Sequence, residues 1–214
     1  MVKPTPHASP RREEMRRKAL ADMREFEVLM VDGHFDYGNG YHGRVYLNPH
    51  RIFCRPSLIW RFAQDLIDTL PEDVVSATEV VAGPVMGGAL LAHTIAGLMD
   101  GRRSLSHPPT SFAPLTLTAG GVLVLRPFYQ KVVAGRRVLV ADDVRNTGET
   151  FARAKSVIES AGGNVLATAE LYDRLEPLHE LDVPNFALAE YKAPENYAAA
   201  ECPMCKAGEP ITAF

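Results

Sequence analysis

Apolar positions Met15, Ala19, Leu20, Met23 and Phe26 recur among charged neighbours at helical spacing, which predicts an amphipathic helix from Arg11 to about Val28. Leu58, Ile59, Phe62, Leu66, Ile67 and Leu70 repeat that spacing over Pro56 to Leu70. Pro56 and Ser57 suit the helix start, and Trp60 is assigned to the core. The pattern then changes. Val80-Val81-Ala82 is an unbroken apolar run leading through Gly87-Gly88 into a helical stretch that ends near Met99. Val138-Leu139-Val140-Ala141 leads in the same way, through a short polar loop, into a helix from Phe151 to Ala161 closed by Gly162-Gly163. Val165 to Tyr172 is the next such run, and Pro184 to Tyr191 reads as a last, edge-type strand with proline at its start. Strands buried on both faces carry continuous apolar runs rather than alternation. The expected fold is therefore α/β, a parallel sheet with helices on both faces and ligands at the carboxyl ends of the strands.

Three stretches do not follow this alternation. Gly33 to Arg44 is dense in glycine, which permits tight turns and close backbone approach to a ligand, and Val45-Tyr46-Leu47 can form a strand after it. Ser104 to Pro114 is expected to be a loop, and Leu115 to Tyr129 two strands joined at Gly120-Gly121. Met1 to Pro10 is polar and contains proline, as a disordered lead would.

Composition narrows the classes. With 214 residues, 46% hydrophobic and 23% charged, the chain can bury one sizeable core. A net charge of −3 with no dominant basic block gives no electrostatic case for nucleic-acid binding. The basic cluster around Arg16 and Arg17 is interleaved with Glu13 and Glu14 and reads as a solvated helix face. The apolar runs are too short to span a bilayer and the first ten residues lack an apolar signal core, so no membrane partner and a cytoplasmic location are expected. Three cysteines, Cys54, Cys202 and Cys205, cannot all pair, which fits a reducing compartment.

Candidate chemistry centres on the stretch from Arg137 to Thr150. Its apolar strand ends in the adjacent carboxylates Asp142 and Asp143, followed by a loop with Thr147 and Gly148 and then a helix start. The first amides of a helix lack intrahelical acceptors and lie at the positive end of its dipole, so such a loop can wrap a phosphate. Two carboxylates repel that phosphate. They suit vicinal hydroxyls, from which they accept hydrogen bonds, and a sugar 5-phosphate carries both groups. Gly87 and Gly88 are a second place where amides can meet an anion, although glycine pairs also serve plain helix-to-sheet packing. Asp173-Arg174 closes a strand and is equally readable as a structural ion pair.

The Asp142 loop resembles the phosphoribosyl pyrophosphate loop of the type I phosphoribosyltransferases. Asp142, Asp143, Thr147, Gly148 and Thr150 fall on the pattern, and Asn146 stands where a threonine is usual. Gly33 to Asn48 resembles the N-terminal hood of orotate phosphoribosyltransferases. Asn39 and Tyr41 stand where that family has serine and a basic residue, and His42 and Arg44 are the nearest cations. The resemblance implies a type I phosphoribosyltransferase-like sheet with a small hood, divided as lead 1–10, helix and hood 11–75, core 76–192 and tail 193–214. It implies a pentosyltransferase that moves ribose 5-phosphate from phosphoribosyl pyrophosphate to a nitrogenous base, orotate first, releasing pyrophosphate. Another base, or a non-catalytic nucleotide sensor, is the alternative.

In the roles that the resemblance implies, Asp142 and Asp143 grip the ribose hydroxyls, and Val144, Arg145, Asn146, Thr147, Gly148, Glu149 and Thr150 cradle the 5-phosphate. Gly87 and Gly88 receive pyrophosphate, while Arg126 and Lys131 balance its charge from an arm that in this family often crosses a dimer interface. Arg174, Tyr41 and Arg44 meet the base. Mg²⁺ is expected as cofactor, held mainly by substrate oxygens with no dedicated protein site, and a homodimer is expected. Cys202-Pro203-Met204-Cys205 forms a knuckle, yet with only Cys54 to add, a closed zinc site is one ligand short unless a histidine joins, so no metal is assigned to it.

Overall fold

The computed structural model describes residues 10–37, 40–104, 106–175, 181–192 and 196–212. The expected lead (apart from Pro10) and Asn39 lie outside these residues. The chain opens with α1 (Pro10–Glu25), which buries Ala19 and Met23. Short strands β1 (Leu29–Met30), β2 (Phe35–Asp36), β3 (Tyr41–Gly43) and β4 (Tyr46–Leu47) build the hood. Helices α2 (His50–Phe53), α3 (Pro56–Thr69) and α4 (Glu72–Ala77) follow, then β5 (Val80–Pro84) and α5 (Gly87–Gly101). Next come β6 (Ser111–Leu117), β7 (Leu123–Leu125) and α6 (Pro127–Val133), and after them β8 (Arg137–Arg145), α7 (Glu149–Ser160) and β9 (Asn164–Asp173). The chain closes with β10 (Asn185–Glu190), β11 (Tyr197–Ala198), a 3-10 turn and α8 (Pro203–Lys206).

Six strands form the central sheet in the order β10-β9-β8-β5-β6-β7, parallel throughout except for the β6–β7 pair. Its two faces are separate apolar layers. Leu139, Ala141 and Val81 pack with α1, α3 and α5, while Val138, Val140 and Val80 pack with Phe151, Ala154 and Ile158 of α7. No described helix is long and apolar enough to cross a membrane.

Four expectations are corrected. Trp60 is half exposed, because the buried positions of α3 (Leu58, Ile59, Phe62, Ala63, Leu66) define a face that turns it outward. The loop assigned to Ser104–Pro114 gives way at Ser111 to β6, in which Pro114 stands beside Gly83. Leu115 turns its carbonyl toward the Val85 amide, so Pro114 turns its nitrogen to the opposite side, where β7 has already ended at Leu125. The second expected strand after Gly120-Gly121 is cut short at Leu125, and Pro127 starts a helix instead. Finally, β10 is an edge strand but not the last, since β11 crosses to the hood and pairs antiparallel with β3 in a sheet ordered β11-β3-β2.

Candidate active site

β8 runs past the acidic pair as far as Arg145, leaving only Asn146, Thr147 and Gly148 between strand and helix. Gly148 takes φ +81°, a left-handed conformation that glycine adopts without steric cost, and it turns the chain into α7. The first bond of that helix runs from the Ala152 amide to the Gly148 carbonyl (3.0 Å), so the amides of Glu149, Thr150 and Phe151 have no intrahelical acceptor. They are the donors that an anion would meet.

The acidic pair is held by its own backbone. The Asp143 amide donates to Asp142 Oδ1 (2.9 Å) and the Val144 amide to Asp143 Oδ1 (2.8 Å). Asp142 is buried, and its carboxyl lies well above the usual carboxylate range, first because of burial and then because of the neighbouring Asp143 charge. Burial also raises Asp143, against the pull of the Val144 amide. Hydroxyl donors from a ligand would stabilise the charged forms of both.

The glycines of the β5–α5 turn pack against this pair. A Cβ on Gly87 would collide with Asp143 Oδ2, and one on Gly88 would lie 2.6 Å from Asp142 Oδ1. Bare backbone is needed here simply to make room for the carboxylates.

A cavity of about 710 Å³ opens over these strand ends. Asp142, Asp143, Val144, Asn146 and Thr150 form one side, and Arg174 stands between them and the hood. Its guanidinium donates to Asn146 Oδ1 (3.2 Å) and lies 5.9 Å from the Tyr37 ring centre. Tyr37, Tyr41 and Tyr46 of the hood line the other side together with Asn196 of the tail. The Tyr37 hydroxyl bonds the Val45 carbonyl (2.6 Å) and is 3.2 Å from Asn196 Oδ1.

The other predicted site residues lie elsewhere. Arg145 is buried and pairs with Asp173 (3.7 Å), so its side chain faces the protein rather than the crevice. Glu149 pairs with Arg153 one turn along α7. Arg44 makes two hydrogen bonds to the Glu209 carboxylate (2.7 and 2.9 Å), which ties the hood to the tail instead of presenting a cation to the cavity. Arg126 and Lys131 are exposed at α6 beyond the β7 edge, outside the cavity lining. Tyr37, Tyr46 and Asn196 were not singled out by the sequence. The tyrosines could have been found as aromatics flanking the glycine-dense stretch, whereas Asn196 arrives only through the β11–β3 pairing and has no local signal.

No family model matches the chain. Against the crystal structure of orotate phosphoribosyltransferase from Aeropyrum pernix the TM-score is 0.62 at 22% identity, covering 80% of this chain and 93% of that one. Against adenine phosphoribosyltransferase from Thermoanaerobacter pseudethanolicus it is 0.60 at 16% identity, covering 79% and 99%. These two likenesses establish the type I phosphoribosyltransferase fold. In sequence, the chain is 32% identical over 190 residues to the orotate phosphoribosyltransferase of Sphingopyxis alaskensis, spanning 88% of this chain and 90% of its relative. An acidic pair at the end of a central strand, a three-residue turn onto a helix and a hood over the crevice are thus carried on a chain that belongs to the orotate phosphoribosyltransferase family.

Proposed function

We propose that the 710 Å³ cavity moves ribose 5-phosphate from phosphoribosyl pyrophosphate to orotate. The observation that carries this is a single crevice shared by the acidic pair, the start of α7, Arg174 and the hood tyrosines. The amides of Glu149 to Phe151, with Thr147 and Gly148, take the 5-phosphate, and Asp142 and Asp143 accept hydrogen bonds from the two ribose hydroxyls. The Gly87-Gly88 turn receives pyrophosphate, Arg174 meets the base and Tyr41 covers it. In the transfer the ribose C1–O bond breaks and its electron pair leaves on pyrophosphate. A ring nitrogen of the base forms the new C1–N bond and loses its proton to solvent. Charge develops on the sugar and the leaving group, so positioning and fixed dipoles do most of the catalysis.

The hard oxygen donors of Asp142 and Asp143 fit Mg²⁺, which takes most of its ligands from water and substrate phosphates and would neutralise charge on pyrophosphate. In a homodimer, Arg126 and Lys131 of one copy would reach the other copy's crevice, a role consistent with their exposure. The pairing of Arg44 with Glu209 favours a second reading in which the acceptor is another base.

Pyrophosphate release measured with orotate, with purines and without base separates the readings. Release with orotate alone is expected. Release only with a purine would reassign the acceptor, and donor binding in calorimetry without release for any base would make the protein a sensor.

A further inference from the structure

Outside the crevice, two segments far apart in sequence bring four metal-ligating side chains together. The Cys-x-x-Cys knuckle lacked donors, and the structure supplies them from the hood. His34, His42, Cys202 and Cys205 place one donor atom each within 4.8 Å of all the others. His34 Nε2 is 3.0 Å from His42 Nδ1, 3.7 Å from Cys202 Sγ and 3.6 Å from Cys205 Sγ, while Cys205 Sγ is 3.3 Å from His42 Nδ1. Bonds of about 2.3 Å to sulfur and about 2.0–2.1 Å to nitrogen give a tetrahedron whose nitrogen–nitrogen edge is about 3.3 Å and whose nitrogen–sulfur edges are about 3.5 Å. The spacings match those edges within a few tenths of an ångström.

The atoms behind the cluster orient it as a metal site requires. His34 Nδ1 lies 2.8 Å from the Glu209 carbonyl, which can only accept, so Nδ1 carries the proton and Nε2 turns a lone pair to the cluster. On His42 the far nitrogen, Nε2, is 3.7 Å from Asp36 Oδ1, which leaves Nδ1 facing inward. The His34 backbone is also fixed, its amide donating to Thr212 Oγ1 (3.1 Å) and its carbonyl accepting from the Thr212 amide (2.7 Å). His34, His42 and Cys202 are buried, and polar groups so placed are costly unless something satisfies them. All three cysteines are free thiols.

We infer that His34, His42, Cys202 and Cys205 form a closed four-coordinate zinc site that clasps the tail to the hood. Two thiolates and two neutral imidazoles balance the charge of Zn²⁺ and leave no open position, so the ion is structural. Through β11 and β3 it fixes Tyr41 and Asn196 at the cavity mouth.

The test uses the full chain purified under reducing conditions from zinc-containing medium. Elemental analysis should find about one zinc per chain. Replacement by Co²⁺ should give the intense visible bands of tetrahedral cobalt with a thiolate charge-transfer band. The double variant Cys202→Ser/Cys205→Ser should lose the metal while Cys54→Ser keeps it. Because the double variant could unfold, Asp36→Asn is the milder probe, and its zinc affinity against a chelator should fall on the order of tenfold to a hundredfold. Folded wild-type protein with negligible zinc and no cobalt spectrum after reconstitution would overturn the inference. So would metal retained by the double variant, or a thiol count showing Cys202 and Cys205 joined as a disulfide.

Discussion

Glu170 sits on β9 directly beside Asp142 in register and is completely buried. Oε1 accepts from Asn185 Nδ2 (2.7 Å), while Oε2 has no hydrogen-bond partner among the described residues. Burial is the main cause that pushes its carboxyl from 4.5 to about 8, and Asn185 and Arg145 only partly oppose it. An acid whose pKa is higher in the folded state holds its proton more tightly there. The resulting stability is full below the unfolded value and is lost as pH rises through about 8. Between about pH 5.5 and about pH 8.5 this single group removes about 3 kcal/mol, taking 1.36 kcal/mol per pKa unit. Glu170→Gln keeps the acceptor for Asn185 and abolishes the titration. Urea unfolding of both proteins at the two pH values should show wild type losing about 3 kcal/mol more than the variant. Equal losses would mean that Glu170 is already ionised in the folded protein and would refute the burial argument.

Changing Asp142 and Asp143 together to Asn should lower turnover on the order of a hundredfold or more in a donor-saturated pyrophosphate assay, and full activity would refute their assignment. Arg174→Ala removes a charged donor from the cavity and should raise the KM for the base about tenfold to a hundredfold while leaving that for the donor nearly unchanged. Equal changes in both would place Arg174 outside base recognition. A Cβ on Gly83 would press into the Gly88 carbonyl and lie 2.8 Å from the Ala141 carbonyl, so Gly83→Ala should cost about 1–3 kcal/mol in chemical unfolding, and an unchanged midpoint would show that the β5–α5 junction can yield.

What was legible in the sequence was local. The apolar run Val138–Ala141, the acidic pair and Gly148 form one continuous segment whose strand, turn and helix follow from burial and backbone freedom, and the structure keeps that order. The run's end was misplaced because Val144 and Arg145 remain paired with Tyr172 and Asp173, a cross-strand effect that pattern alone does not carry. The short helices α4 and α6 span less than two turns and give too little periodicity to read. Arg44 was placed at the base because nothing nearby in sequence hints at Glu209, its partner 165 residues away. The same distance hid the histidines from the cysteine pair: Cys202 and Cys205 were visible as half of a site, and the other half enters only when the tail folds back.

The β11–β3 pairing also bears on synthesis. All six strands of the central sheet precede residue 191, so the half of the crevice built on β8 and the start of α7 draws on no residue of the tail. The hood, made among the first fifty residues, must wait for Tyr197 and Ala198 to emerge before its three-stranded sheet closes. A nascent chain stalled before that point would lack the third strand of the hood sheet, and with it part of the wall that faces the acidic pair.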